Sequence, residues 1–378
     1  MNQFEFNLKT RLKFGTGEAL NLGKYLKEMK FDRIAVIVDS GVFNLDCVKE
    51  VLENVKKENF KKVKIWEYTL KAEPDYDSLD RVKLEFLDES QKPAVDCFVG
   101  IGGGSIMDFA KGLATLVVNS GEARKYKGFP TDIIPSLPII TMPTTAGTGS
   151  EVTFSAVFID LDTKKKLGIN TTNNFPTLTI LDPNLVSSCP KPIAASSGVD
   201  CLVHVLEGYA SLGSNYLARV FAKEGFKLIF DNLLQTLDKP ENLDGWSKLQ
   251  LGSYFGGLTL LGSGGGPTGA LSYILGVHFK VPHGLAGAVF LPYIVEHNIK
   301  QGYDYKELYN KDGMLSEKIF ELYKKLGVPS NLRDFGVNEE NINVLLKDIE
   351  SLEKAFSQNP APFTVEDGKK LLIKLIQK

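Results

Sequence analysis

In VDCFVGIGGGSIMDFAK (95–111) an apolar run ends in three consecutive glycines and passes at once into a helical spacing. A strand that is apolar on both faces belongs inside a parallel sheet, with helices covering each side. Glycine costs backbone entropy, so three in a row mark a sharp turn or a close approach of main chain to a ligand. The same rhythm fills the first half of the chain. RIAVIVD (33–39) predicts a buried strand and residues 45–58 a helix; strands follow over 61–70, 95–102, 137–145 and 175–182, with helices over 77–90 and from Ser105 onward. The opening MNQFEFNLKTRLKFGTG alternates polar and apolar residues and predicts a strand pair. The βαβ alternation predicts an α/β fold, a doubly wound parallel sheet with ligands at the carboxyl ends of its strands.

After Asp182-Pro183 the texture changes. AASSGVDCLVHVLEGYAS, LARVFAKEGFKLIFDNLLQTL, SEKIFELYKKLG and INVLLKDIESLEKAF are long helical patterns. The expected division is an α/β domain over 1–182 and an all-helical domain over 183–378, in keeping with two domains for 378 residues.

Composition narrows the class. With 46 acidic residues against 44 basic ones, the formal charge of −2 leaves no basic footprint for nucleic acid. No apolar run reaches the roughly 18 residues of a membrane span, and the start lacks the apolar core of a signal peptide. The four cysteines, Cys47, Cys97, Cys189 and Cys201, are scattered, which argues against a disulfide framework and an all-cysteine zinc site. A cytoplasmic protein is expected.

Three segments carry the chemistry. The turn Gly102, Gly103, Gly104 and Ser105 lets backbone N–H groups approach a pyrophosphate at a helix N-terminus, with Ser105 able to cap the helix or bond phosphate. A tight turn without a ligand is the plainer alternative, and the spacing is not the G-x-G-x-x-G fingerprint. Asp39, at the end of its strand, can accept hydrogen bonds from a ribose and repel a 2′-phosphate, favouring NAD over NADP; it can equally be a turn or cap aspartate. PTTAGTGSEVT (143–153) sets hydroxyls and glycines after another strand, suited to a carboxamide or phosphate oxygens.

The third segment holds histidine. Of four histidines, His204 lies four residues after Asp200 on one helical face, a spacing with which carboxylate and imidazole grip one divalent cation. His283 sits in VPHGLAG, where proline and glycine fix the backbone. Each alone is more often a core or capping residue than a ligand. His297 reads as solvated surface, and His278 is ambiguous.

Taken together, GGGSIMDFAK, PTTAGTGSEVT, the Asp200/His204 pair and PHGLAGAVFLP fall in the order seen in the iron-containing alcohol dehydrogenases, which the chain resembles over its whole length. GVDCLVHVLEGYASLGSNYLA and GALSYILG are most similar to the branch that oxidises the terminal hydroxyl of 3-deoxy-octulosonate, an eight-carbon sugar acid. The resemblance implies an N-terminal dinucleotide domain, a helical metal/substrate domain and a cleft between them. NAD, with NADP the lesser candidate, would lie along Asp39, Gly102 to Ser105, Asp108, Thr144, Thr145 and Thr153, with Lys166 near the nicotinamide ribose. Lys164 and Lys165 beside it read as a solvated turn.

Asp200, His204 and His283 would hold Fe²⁺ or Zn²⁺, and the catalytic residues would be His283 and Tyr273. Tyr273 would relay a proton or bind a substrate hydroxyl, or else serve as a core tyrosine. The family has a histidine fourteen residues before His283, where this chain has Gly269, and often a second at the position of Tyr273. Three readings follow: a three-ligand metal, a site completed by His278, or a metal-independent reductase. A nucleotide-binding relative without catalysis is the fourth. The implied activity is hydride transfer between nicotinamide and a primary alcohol or aldehyde in a homodimer.

Overall fold

The computed structural model of the protein describes residues 3–69 and 73–377. They form two compact units: residues 8–189, and residues 3–7 together with 190–377.

The α/β unit is built on a six-stranded sheet, all of whose pairings are parallel: β1 (Arg11–Phe14), β2 (Arg33–Asp39), β3 (Lys62–Tyr68), β4 (Cys97–Gly102), β5 (Ile139–Pro143) and β8 (Leu178–Leu181), in the order β1-β8-β5-β4-β2-β3. β4, β5 and β8 are buried along their whole length, which explains why they are mainly apolar, with Thr141 and Thr179 as buried polar exceptions. The helices α1 (Leu22–Glu28), α2 (Asp46–Lys57), α3 (Tyr76–Lys83) and α4 (Gly104–Leu116) connect the strands. Ile34, Val36 and Val38 pack into one cluster with α1 and α2, while Ala35 and Ile37 pack into another with α3 and α4. That alternation covers both faces of the sheet. A short helix, α5 (Pro183–Val186), stays with this unit because Leu185 is buried in the α2 cluster.

Several local expectations need correction. The opening strand pair is absent from the described residues; β1 stands alone and pairs with β8, some 160 residues later. Phe6 instead meets the Phe221 ring of the helical unit, at 5.6 Å between centroids; Met1 and Asn2 lie outside the described residues. The strand expected over 61–70 ends at Tyr68, and position 70 is also outside the described residues. The helix expected over 77–90 ends at Lys83 and tightens into a 3₁₀ turn to Phe86, which buries that ring against Phe98. An unforeseen antiparallel pair, β6 (Val157–Asp160) and β7 (Lys165–Gly168), lies outside the main sheet and packs Phe158 close to Gly112 of α4.

The second unit is helical: α6 (Lys191–Ala210), α7 (Tyr216–Asp238), α8 (Leu243–Ser263), α9 (Pro267–Phe279), α10 (His283–Ala288), α11 (Leu291–Lys300), α12 (Leu315–Leu326), α13 (Asn343–Asp348), α14 (Glu353–Phe356) and α15 (Val365–Gln377). The helix expected over 342–356 is broken into α13, a 3₁₀ turn and α14. Leu345, Ile349 and Phe356 all turn into one core, and Ser351 donates to the Asp348 carbonyl, so side-chain bonding replaces the regular ladder where the chain bends.

Candidate functional site

The first constellation lies on the α/β unit. The sheet reverses its winding between β2 and β4, and ligands of such sheets bind beyond the carboxyl ends at that point. Asp39 ends β2, the glycine turn ends β4, and Thr144 and Thr145 follow β5, three neighbouring strands. The Thr144 N–H donates to the Gly102 carbonyl at 3.0 Å. Glycine is needed here for closeness: a Cβ on Gly102 would come within 2.5 Å of Ile106, and one on Gly104 within 2.7 Å of Thr148. The residue capping α4 is Gly103, which has no side chain to spend on the first-turn N–H groups. Ser105 therefore does not cap the helix, as expected from sequence; it lies inside the first turn and is exposed.

Asp39 accepts from the Gly41 N–H at 2.8 Å through one oxygen, the turn role foreseen for it. Asp108 is more committed. Its oxygens accept from the Ser150 hydroxyl at 2.5 Å and the Val157 N–H at 2.9 Å. Lys111, fully buried one turn on, donates to Ser150 O and Oγ and to Ser155 O at 2.7–2.8 Å. Burial pulls the Lys111 ammonium's pKa down, with the Asp108 carboxylate opposing. Asp108 and Lys111 thus brace the 143–155 segment against α4. Thr153 is buried within that segment. Lys166, on β7, bonds Glu73 at 2.8 Å, and Lys164 stands in the turn between β6 and β7 with left-handed backbone.

The second constellation lies in the helical unit. Asp200 and His204 are one turn apart on α6, and His283 opens α10 immediately after Pro282. Gly284 makes the approach possible: a Cβ there would overlap the Ser196 carbonyl of α6 and come within 3.0 Å of the Asp200 Cβ. His204 Nε2 and His283 Nε2 stand 3.7 and 3.9 Å from Asp200 Oδ1, and one ligand atom from each of the three residues lies within 4.8 Å of the others. These distances are too long for hydrogen bonds. They suit donors that would draw onto one ion at roughly 2.0–2.2 Å.

Asp200 is 3% exposed, and its ion-pair partners among the described residues are these two imidazoles, with no lysine or arginine. A buried carboxylate of this kind calls for a compensating cation. One carboxylate with two imidazoles is a donor set that fits Fe²⁺ or Zn²⁺.

Around the trio, sequence reasoning placed some residues and missed others. The Tyr273 ring lies 5.3 Å from that of His283. His278 is bonded to Asp348 at 2.7 Å, away from the trio's donors. His297 is half-buried and donates to the Pro362 carbonyl at 2.8 Å, so its reading as solvated surface is corrected. Two residues were missed. Glu207, one turn beyond His204, accepts from the N–H groups of Gly266, Thr268 and Gly269 at 3.0, 2.5 and 3.1 Å, and so caps the start of α9. Burial raises its pKa, and the three N–H groups work the other way. Its spacing, seven residues after Asp200, was a usable signal. Ser272 touches both Gly269 and His283, and no local pattern marks it.

Comparison with known proteins gives the same frame. Residues 9–183 match the family described as iron-containing alcohol dehydrogenase, and residues 194–376 match its C-terminal part. An NAD-dependent methanol dehydrogenase of Bacillus methanolicus is 28% identical over 368 residues, spanning 93% of this chain and 94% of that protein. A 1,3-propanediol dehydrogenase of Citrobacter freundii is 33% identical over 267 residues, 67% of this chain and 69% of that one. A sulfoacetaldehyde reductase of Bifidobacterium kashiwanohense, solved with NAD⁺, superimposes with a TM-score of 0.89 over 100% of both chains at 24% identity, which establishes the shared fold.

Proposed function

This chain belongs to the iron-containing alcohol dehydrogenase family, and from that premise we propose that it transfers hydride between a nicotinamide cofactor and a primary alcohol or its aldehyde. The observation that carries the reading is the convergence of Asp200, His204 and His283 on one point in a chain that also bears the Gly102–Ser105 turn.

In the forward direction the alcohol loses a proton from oxygen and a hydride from carbon, and the products are aldehyde and reduced nicotinamide. Asp200, His204 and His283 would hold a divalent cation, which would supply Lewis-acid polarisation of the alcohol oxygen. Asp200 balances charge in a dry setting, where electrostatic interactions are strong. Tyr273, beside His283, offers a hydroxyl to a substrate oxygen or its proton. On the α/β unit, N–H groups of the first turn of α4 bind the pyrophosphate, with Ser105 adding a hydroxyl. Asp39 takes the adenosine ribose through the oxygen it does not spend on Gly41 and selects NAD over NADP. Thr144, Thr145 and Thr153 would lie along the cofactor, with Lys166 near its nicotinamide ribose. The enzyme works as a homodimer in the cytoplasm; no helix among the described residues is long and apolar enough to cross a membrane.

For the substrate, the activities of the relatives point to small alcohols and aldehydes, and the sequence likeness of 198–218 adds an eight-carbon sugar acid as the finer candidate. The test is a panel of methanol, 1,3-propanediol, lactaldehyde and 3-deoxy-octulosonate with NAD⁺ or NADH, before and after chelation. Turnover that falls with chelation and returns with Fe²⁺ or Zn²⁺ is expected. Turnover indifferent to chelation would establish the metal-independent reductase, the second reading that Gly269 favours. Nucleotide binding with no turnover would reduce the chain to a binding protein.

A further inference from the structure

We propose that Ser272 is a positioning residue that sets the tautomer of His283, so that Nε2 presents a lone pair to a divalent cation. The inference rests on the reading that Asp200, His204 and His283 hold a cation.

Ser272 is 1% exposed on α9, with its Oγ 2.7 Å from the Gly269 carbonyl oxygen and 3.3 Å from His283 Nδ1. A carbonyl only accepts, and a hydroxyl has one proton, so that proton is spent on Gly269. Toward His283 the hydroxyl oxygen can then only accept, which requires hydrogen on Nδ1. A neutral imidazole carries one N–H, so Nε2 keeps its lone pair, and Nε2 is the nitrogen facing Asp200 Oδ1 at 3.9 Å. Without such a partner an imidazole favours hydrogen on Nε2, the form that must give up that proton before it can bind a metal ion.

The supporting chain extends one step further. Gly269 is held through its own N–H by Glu207 Oε2 at 3.1 Å, so Glu207 of α6 fixes the residue whose carbonyl aims Ser272. The two imidazoles differ in this respect. His204 Nδ1 is buried with no hydrogen-bond partner among the described residues, whereas His283 has a hydrogen-bond partner on its outer nitrogen. Outer partners of this kind typically carry 10- to 100-fold in metal affinity.

The test uses full-length protein, stripped with a chelator and labelled with ¹⁵N in its four imidazoles, above the pH at which imidazole is protonated. The His283 resonances are identified by their loss in His283→Gln. Wild type should carry hydrogen on Nδ1 of His283. Ser272→Ala should shift that ring toward the Nε2–H form and bind Zn²⁺ about tenfold more weakly by competition titration. Ser272→Thr, which keeps the hydroxyl, should return both readouts close to wild type and so separates the hydrogen bond from the packing. Hydrogen on Nε2 in wild type, or unchanged Zn²⁺ affinity in Ser272→Ala, would overturn the proposal. A wild-type protein that takes up no metal would overturn the cation reading beneath it, while its tautomer would still decide whether Ser272 acts on His283.

Discussion

The glycine turn after β4 and the Asp200, His204, His283 trio solve opposite problems. The turn works by omission: Gly102 and Gly104 leave out side chains so that main chain can sit close to Ile106 and Thr148 and leave the N–H groups of α4 uncovered. The trio works by convergence, with side chains from α6 and α10 brought together although His283 lies 79 residues beyond His204. The difference teaches where each site is fragile. A main-chain site tolerates changes nearby but no added Cβ; a side-chain site depends on the partners that aim its ligands.

The strongest way to break that contrast is Glu207→Ala. Removing the half-buried carboxylate leaves three N–H groups of the α9 start without their protein acceptor, and each costs about 1–3 kcal/mol. A loss of at least about 3 kcal/mol is expected in denaturant unfolding followed by the helical unit's signal. A loss below about 1 kcal/mol would show that Glu207 is not the brace described.

Next in size are the two glycine tests. Gly284→Ala drives a methyl into the backbone carbonyl of Ser196 and should cost about 2–3 kcal/mol, with metal uptake impaired. The nearest atoms to a Cβ in Gly104→Ala are Thr148 Cγ2 and Oγ1, at 2.7 and 2.8 Å, a side chain rather than a backbone carbonyl. This substitution should cost less than about 1 kcal/mol while weakening NADH binding by at least about tenfold. Calorimetric melts and NADH titrations of both variants check this; equal damage to stability in the two would erase the distinction.

A smaller effect is expected at Asp39. If Asp39 faces the adenosine ribose, replacing it with asparagine removes a charge that would repel a 2′-phosphate and should narrow a preference for NAD over NADP by about tenfold. An unchanged ratio of kcat/KM for the two cofactors would leave Asp39 as a turn residue only.

The smallest effect concerns Asp160, on the β6–β7 pair. Lys127, 2.6 Å away, foremost holds its carboxyl well below the usual carboxylate range, against the opposing pull of burial. A carboxylate whose folded pKa lies below its unfolded value of about 3.9 adds stability at higher pH, which fades as pH falls from about 5 toward the folded value. Asp160→Asn should therefore destabilise by about 1–2 kcal/mol at pH 7, and the gap from wild type should shrink on acidification below pH ~4. A gap that widened in acid would reverse the sign of the account.

Legibility follows the same division. RIAVIVD and VDCFVGIG declare themselves because a parallel strand buried on both faces has to be apolar throughout. The β6–β7 pair escaped because four-residue strands bearing Lys165 and Lys166 have no such run. Asp200 and His204 were visible through helical spacing, and His283 through the proline and glycine around it. Ser272 was silent, since bonding a carbonyl three residues back and an imidazole eleven residues ahead leaves no period in the sequence. Lys111 stood in full view inside GGGSIMDFAK, yet the 0% exposure that makes it a brace is a property of the folded chain.

The most direct test is the metal content of purified wild-type protein, by elemental analysis after expression with iron and zinc both supplied. Close to one divalent ion per chain is expected. Protein with no bound metal that oxidises an alcohol with NAD⁺ at full rate would contradict it.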